Sequence, residues 1–340
     1  MKKITLLIVL LSSFVCFAKT DDYKNEKYEL LDQKHQYEEI IASIKENDES
    51  SYTISDYLYL GLSYFKMGNN TEAQKNFDIV IQKDPEFYDA YYYQAGTYYL
   101  SEDYENAIVY LTKCKELDPK KIRPYEMLGV IYEMYGNYQQ AYENYSKFYE
   151  LDKSPDSAYA MAYVLFELGE YKKAIPYAEE YLKKDKNSFP MNDIMVICLN
   201  SSGDYKKAEK YEKKLVELWK KSDDPELKNQ DYITICLFDY DGYEVKVLKK
   251  IDQSGDYYYS IMCYLIQDTR LIKSINLEYD GYSGMLGYPA YYLGYDDIAA
   301  KKHFTSSVTY KKMPKLEEFL KDVKLLMDGK IEIMTSSTYK

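Results

Sequence analysis

Histidine is the side chain best suited to acid–base work and metal ligation near neutral pH, and this chain of 340 residues has two, His35 and His303. A His-rich metal cluster is thereby excluded, and any Ser–His or Cys–His nucleophilic pair has to use one of them. Ser306, Ser307 and several carboxylates lie near His303 in sequence, but no nucleophile elbow or glycine-rich phosphate loop accompanies it. His303 is therefore expected to be a surface or half-buried residue. Glu278, Asp280, Asp296 and Asp297 could supply a carboxylate pair for glycoside chemistry in a Tyr-lined cleft, on composition alone. Asp239, Asp241 and Glu244 around Gly242 lack the alternation and the distal glutamate of an EF-hand, so they read as a hairpin turn. Downstream of Cys16 the cysteines are Cys114, Cys198, Cys236 and Cys263. Cys236 and Cys263 fall on expected strands, and export would permit a disulfide between them if those strands are neighbours. No catalytic residue, cofactor or metal ligand set is assigned.

The elements that would position such residues come from a chain with 46% hydrophobic and 29% charged residues, an ordinary balance for a folded protein. Its 44 tyrosines are the departure, each a large apolar ring with a polar tip. The N-terminus reads Met1-Lys2-Lys3, an apolar run from Ile4 to Val15, then Cys16-Phe17-Ala18 before polar residues. That is the charged, apolar and small-residue order of a signal peptide, with cleavage expected after Ala18. The run is too short for a comfortable membrane span of about 20 residues. Val15 stands before Cys16 where lipoprotein acylation sites carry a small residue, so a lipoprotein or an N-terminal anchor is the less favoured alternative to a periplasmic or secreted protein. The formal charge of −12 becomes −14 without Lys2 and Lys3. Such a chain repels phosphate backbones, and no nucleic-acid partner is expected.

The middle of the chain repeats. Ala73, Ala107, Ala141, Ala174 and Ala208 are spaced by 34, 34, 33 and 34 residues. Each follows a short connector: Gly68-Asn69, Glu102-Asp103, Gly136-Asn137, Gly169-Glu170 and Gly203-Asp204. Upstream sit aromatic-rich helices with Tyr57, Leu60, Gly61 and Tyr64, then Tyr91, Ala95 and Tyr98, then Tyr125, Leu128, Gly129 and Tyr132. Phe77, Leu111 and Tyr145 lie four residues past their alanines, and Asp84-Pro85 and Asp118-Pro119 close the first two units. Small residues at the crossing let two helices approach while large neighbours fill the groove beside them. Each pair keeps an apolar face that only the next pair can cover. Tyr23 to Ser50, with Tyr37, Ile40 and Ile44 one period earlier, reads as a degenerate capping unit.

These residues resemble the tetratricopeptide repeat (TPR) family from about Ile54 to Lys220. The family's opening Trp is replaced by Tyr57, Tyr91 and Tyr125, and Pro176 falls early in a second helix. The resemblance implies that the first helices line a concave groove that takes a polypeptide. It carries the partner-binding role to Leu58, Leu62, Phe65, Tyr92, Tyr99, Glu126, Val130, Tyr159, Tyr163 and Phe166. A clamp for a C-terminal carboxylate is not implied, because Leu58, Tyr92, Glu126, Tyr159 and Asp193 supply no cation at the clamp position. Cys114 takes an inward-facing core position.

After Trp219 the period changes. Asp223-Asp224-Pro225 stops the helix, and alternating residues around Asp241-Gly242 mark a hairpin. Further strands are expected at Asp256 to Gln267 and Arg270 to Tyr279, with turns at Ser254-Gly255 and Asp268-Thr269. An irregular Gly/Tyr-rich loop is expected from Asp280-Gly281 to Tyr295. A helix over Pro314 to Met327 and a last strand near Ile331–Met334 complete a small α+β domain of no recognised family.

The expected fold is thus mainly α: a signal peptide (1–18), a degenerate N-terminal helical cap (19–53), a TPR α-solenoid of about five repeats (54–222), and an α+β domain with an antiparallel sheet (231–340). The function that follows is an extracytoplasmic adaptor or scaffold holding a protein or peptide in the groove, with self-association left open. The alternative is an enzyme or ligand-binding sensor sited in the C-terminal domain, with the repeats as its targeting arm.

Overall fold

A computed structural model describes residues 23–228, 232–250, 261–280, 290–298 and 300–338. The expected signal peptide, the turn at Ser254-Gly255 and most of the Gly/Tyr-rich segment lie outside these residues. The chain divides into two compact units at Ser157/Ala158. Among the described residues no helix is long and apolar enough to cross a membrane.

The first unit is built of helix pairs: α1 (Glu26–Gln33) with α2 (Tyr37–Lys45), α3 (Ile54–Lys66) with α4 (Asn70–Lys83), α5 (Tyr88–Leu100) with α6 (Tyr104–Leu117), and α7 (Arg123–Met134) with α8 (Tyr138–Leu151). The turn inside each repeat pair is one device used again and again. Gly68 at φ 76° donates from its N–H to Phe65 O at 3.0 Å, and Asn69 N donates to Tyr64 O at 2.8 Å. These are the two reverse hydrogen bonds that satisfy the last carbonyls of a helix. Gly136 and Asn137 repeat them at 3.0 and 2.8 Å, Gly169 and Glu170 at 2.9 and 2.8 Å, and Gly203 and Asp204 at 3.0 and 2.8 Å. The second unit of the series puts Glu102 in the same left-handed position at φ 60°, a conformation that strains a residue with a Cβ. His35 stands there too, at φ 58°, with Gln36 N bonded to Leu31 O. The N-terminal pair is therefore a true member of the series, and His35 is part of its turn.

Packing across each pair follows a size rule. All five periodic alanines are fully buried, each in the first turn of its second helix. A Cβ added to Gly61 would meet Phe77 Cε1 at 2.6 Å, and one added to Gly129 would collide with the Tyr145 ring. Where the first helix carries Ala95 in place of glycine, the matching residue of the second helix is the smaller Leu111, and both are fully buried. At the Gly61–Phe77 and Gly129–Tyr145 crossings a ring is thus seated directly on bare helix backbone.

The second unit contains α9 (Pro155–Glu167), whose first turn spans the division, α10 (Tyr171–Lys184), α11 (Phe189–Ser201), α12 (Tyr205–Lys221) and a single turn, α13 (Pro225–Lys228). Helix α10 runs through Pro176 without a break. A seven-stranded antiparallel sheet follows in simple sequence order: β1 (Tyr232–Tyr240), β2 (Tyr243–Lys250), β3 (Ile261–Gln267), β4 (Arg270–Asp280), β5 (Ala290–Asp297), β6 (Lys302–Tyr310) and β7 (Ile333–Thr338). Helix α14 (Leu316–Met327) joins the last two strands. One face of the sheet packs Val245, Val247, Cys263, Leu265, Ile275 and Leu293 against Phe319, Leu320, Val323 and Leu326 of α14, and Leu215 and Trp219 of α12 share the same core. The polar stretch after Trp219 is spanned by packing, for Trp219 Nε1 donates to Leu227 O at 2.7 Å.

The hairpin reading of Asp241-Gly242 agrees with the structure. Both residues have positive φ (48° and 79°), as a two-residue turn between right-twisted strands requires, and Asp268 and Thr269 repeat this at 48° and 63°. One expectation needs correction. The segment to Tyr295 was expected to be irregular, yet Ala290–Asp297 is a strand, and the polar run Lys302–Tyr310 is a strand that the alternation did not reveal. Cys236 and Cys263 are not partnered: both sit opposite Val247, from strands on either side of β2. Two strand spacings put them about 9.5 Å apart, beyond the reach of a disulfide. Burial pushes the Cys236 thiol up to about 11 and raises Cys263 further.

Candidate functional site

In the first unit, most residues of the expected groove are spent on packing. Leu58, Leu62, Phe65, Tyr92, Tyr99 and Val130 are all buried, none with more than 9% of its surface exposed. Glu126 is half-buried and accepts from Arg123 Nη1 at 2.6 Å. Tyr159, Tyr163 and Phe166, in the second unit, are half-buried. Apolar side chains on a first helix are also what neighbouring helices need, and the sequence alone cannot say which demand wins.

The aromatic surface that remains starts where those buried rings emerge. Tyr99 meets Tyr104 edge to face at 5.4 Å, and Tyr104 meets Tyr135 at 6.0 Å and 84°. This ladder runs from the second repeat into the connector of the third, from a fully packed ring to one 48% exposed, beside Met134 at 41%. Burial pushes the Tyr99 hydroxyl up to about 12, so it stays a neutral donor. A second row stacks Tyr98 on Tyr110 at 5.3 Å, with Tyr91 6.2 Å from the same ring. Tyr135 and Met134 were not singled out from sequence; their place at the end of a first helix, just before Gly136, was the available signal.

The second unit offers two further features. A cleft of about 810 Å³ lies between α12, β1 and the start of α14, floored by Ile233, Ile235 and Leu316. In its wall the buried Glu212 accepts from Lys249 Nζ at 2.7 Å and from Asn200 Nδ2 at 3.2 Å. Asn200 also donates to Ile235 O at 2.8 Å, and Leu237 N donates to Ser201 Oγ at 3.0 Å. Strand β1 is an edge of the sheet, and these α11 side chains occupy backbone groups that would otherwise invite another strand.

The other feature gathers residues that the sequence marked. Asp296 and His303 are register partners on β5 and β6, and Glu278 lies one strand further, on β4. His303 Nδ1 is 2.7 Å from Asp296 Oδ1 and its Nε2 is 3.2 Å from Glu278 Oε1. Burial, first, and the Asp296 charge raise the Glu278 carboxyl, while His303 opposes them. Ser306 is buried, and its Oγ accepts from Val308 N at 3.2 Å. Asp280 and Asp297 belong to the same strands, with Asp297 opposite Lys302. His303 is absent from the residues that line the cleft.

Paired helices, a shared left-handed connector and periodic small residues at the crossings define a helical-repeat protein of the solenoid class. The chain belongs to the tetratricopeptide repeat family: the family model described as "Tetratricopeptide repeat protein 21 C-terminal ARM domain" matches residues 21–196, just over half of the sequence. Similar solved structures include a MamA protein, 24% identical over 49% of this chain and 92% of that chain, with a TM-score of 0.44. Another is YrrB, titled a TPR protein with an unusual peptide-binding site, 16% identical over 55% of this chain and 94% of that chain, with a TM-score of 0.48. A double mutant of MamA RS-1 is 14% identical over 50% and 96% of the two chains, with a TM-score of 0.45. No curated protein matches the chain.

Proposed function

We propose that this protein is an exported scaffold that holds a polypeptide partner on its helical repeats. The observation that carries the reading is the tyrosine ladder Tyr99–Tyr104–Tyr135, which ends in an exposed ring and the exposed Met134. Rings anchored from below lose little freedom on binding, and a few such anchors supply most of an interface's affinity. Within the same unit, half-buried Glu126 keeps part of the expected groove accessible. A polypeptide suits this surface because it offers both apolar side chains and carbonyls for the tyrosine hydroxyls. Export rests on the order of Lys2-Lys3, the apolar run and Ala18.

The test is selection of binding peptides from a displayed random library with the intact chain, followed by titration. A Met134→Ser, Tyr135→Ser variant is expected to bind the selected peptides at least about tenfold more weakly, the effect of losing one hot-spot anchor. Equal affinity for parent and variant removes the ladder from the argument. For export, the mature chain recovered from expressing cells is expected to begin at Lys19; an intact Met1 in the recovered protein rejects a cleaved leader.

A further inference from the structure

The sheet face opposite the core carries three titratable groups in a row on neighbouring strands, and their geometry sets a proton count. The His303 ring has a carboxylate at each nitrogen, Asp296 at 2.7 Å and Glu278 at 3.2 Å. A neutral imidazole has one N–H and one lone pair. It can donate to one carboxylate only, and its other nitrogen then sets a lone pair against an ionised oxygen. Both contacts become hydrogen bonds only when the three groups hold two protons. Either an imidazolium lies between two carboxylates, or a neutral ring donates to Asp296 and accepts from a protonated Glu278. The net charge is the same in both arrangements, so the proton belongs to the cluster as a whole. With a neutral ring and two carboxylates, the cluster is one proton short.

The surroundings favour retention of that proton. The charges acting on Glu278 are those of His303 and Asp296, and burial is the larger influence raising its carboxyl. Ser274 Oγ, from β4, donates to Asp296 Oδ2 at 3.2 Å and so occupies that oxygen. On the β7 side the register partner of His303 is Ser337. Among the described residues, Asn276 Oδ1 is buried without a donor. It converges with Glu278 Oε1 over Gly294, where an added Cβ would collide with both.

We propose that Glu278, Asp296 and His303 form a proton-operated clasp: the shared extra proton ties β4 to β6 across β5, and its loss releases the Glu278 side. Because Glu278 holds its proton more tightly when folded, the clasp's contribution to stability is complete below the usual glutamate range. It is lost as pH rises through the raised value. The proposal does not depend on the peptide-binding reading.

Glu278→Gln separates this device from ordinary packing. Its amide N–H can donate to the lone pair of a neutral ring, closing the clasp with no added proton. Thermal unfolding of the intact chain is followed from the ordinary glutamate range, about pH 4.5, up to pH 8.5. The parent's midpoint is expected to fall by about 3 °C or more over this range relative to Glu278→Gln, which holds the contact throughout. An identical pH dependence in the two proteins overturns the proposal. Should the variant fail to fold, NMR of the parent decides. The Glu278 carboxyl carbon and the His303 ring, told apart from His35 by a His35→Gln variant, are expected to titrate with one shared midpoint. Two independent midpoints reject the clasp.

Discussion

Gly129→Val is expected to lower the unfolding free energy by about 2–4 kcal/mol, at the upper end of what overpacking costs. The Tyr145 ring lies where the new Cβ would go, and it is buried. It cannot swing aside cheaply, because its hydroxyl donates to Glu133 Oε2 at 2.8 Å. The protein also contains its own control. The equivalent crossing of the preceding repeat uses Ala95 and Leu111, so Gly129→Ala with Tyr145→Leu rebuilds a pairing already present one period away. In a double-mutant cycle read by urea denaturation, the two changes together are expected to cost less than their separate costs combined, with a coupling of at least about 1 kcal/mol. Strict additivity would mean that the two positions do not share the crossing, and the size rule would fall with it.

Phe319→Ala is expected to cost about 3–5 kcal/mol, the range for removing a fully buried ring. Phe319 has no exposed surface and sits on the one face of α14 that meets the sheet, beside Leu320 and Val323. Native domains are stable by only about 5–15 kcal/mol, so the strands of the second unit should lose most of their hydrogen-exchange protection. Lys321→Ala, on the exposed side of the same helix, should stay within about 0.5 kcal/mol of the parent. Unchanged protection of β1 to β4 in Phe319→Ala would show that α14 does not hold the sheet.

The helix pairs were legible because their signal is redundant. An alanine returns at a fixed offset five times and a connector glycine four times, so the period survives local substitutions such as Glu102. The N-terminal pair was harder to read, since His35 occupies the left-handed position that glycine takes in four of the later pairs. The hairpin at Asp241-Gly242 was equally direct, because few residue pairs tolerate two positive φ angles. Strands β5 and β6 were obscured for opposite reasons. Tyr291, Tyr292, Leu293 and Tyr295 are all large and show no alternation, while Lys302 to Tyr310 carries so few apolar residues that its core-facing positions do not stand out.

What the sequence determined by itself was the order and length of the helix pairs, their connectors and the small residues at their crossings, because those follow from local periodicity and backbone conformation. Which tyrosines are spent on packing and which reach solvent was decided only in three dimensions, since the same ring satisfies either role. So was the meeting of Glu278, Asp296 and His303, which depends on strand register. A slip of one residue would send any of the three to the other face of the sheet.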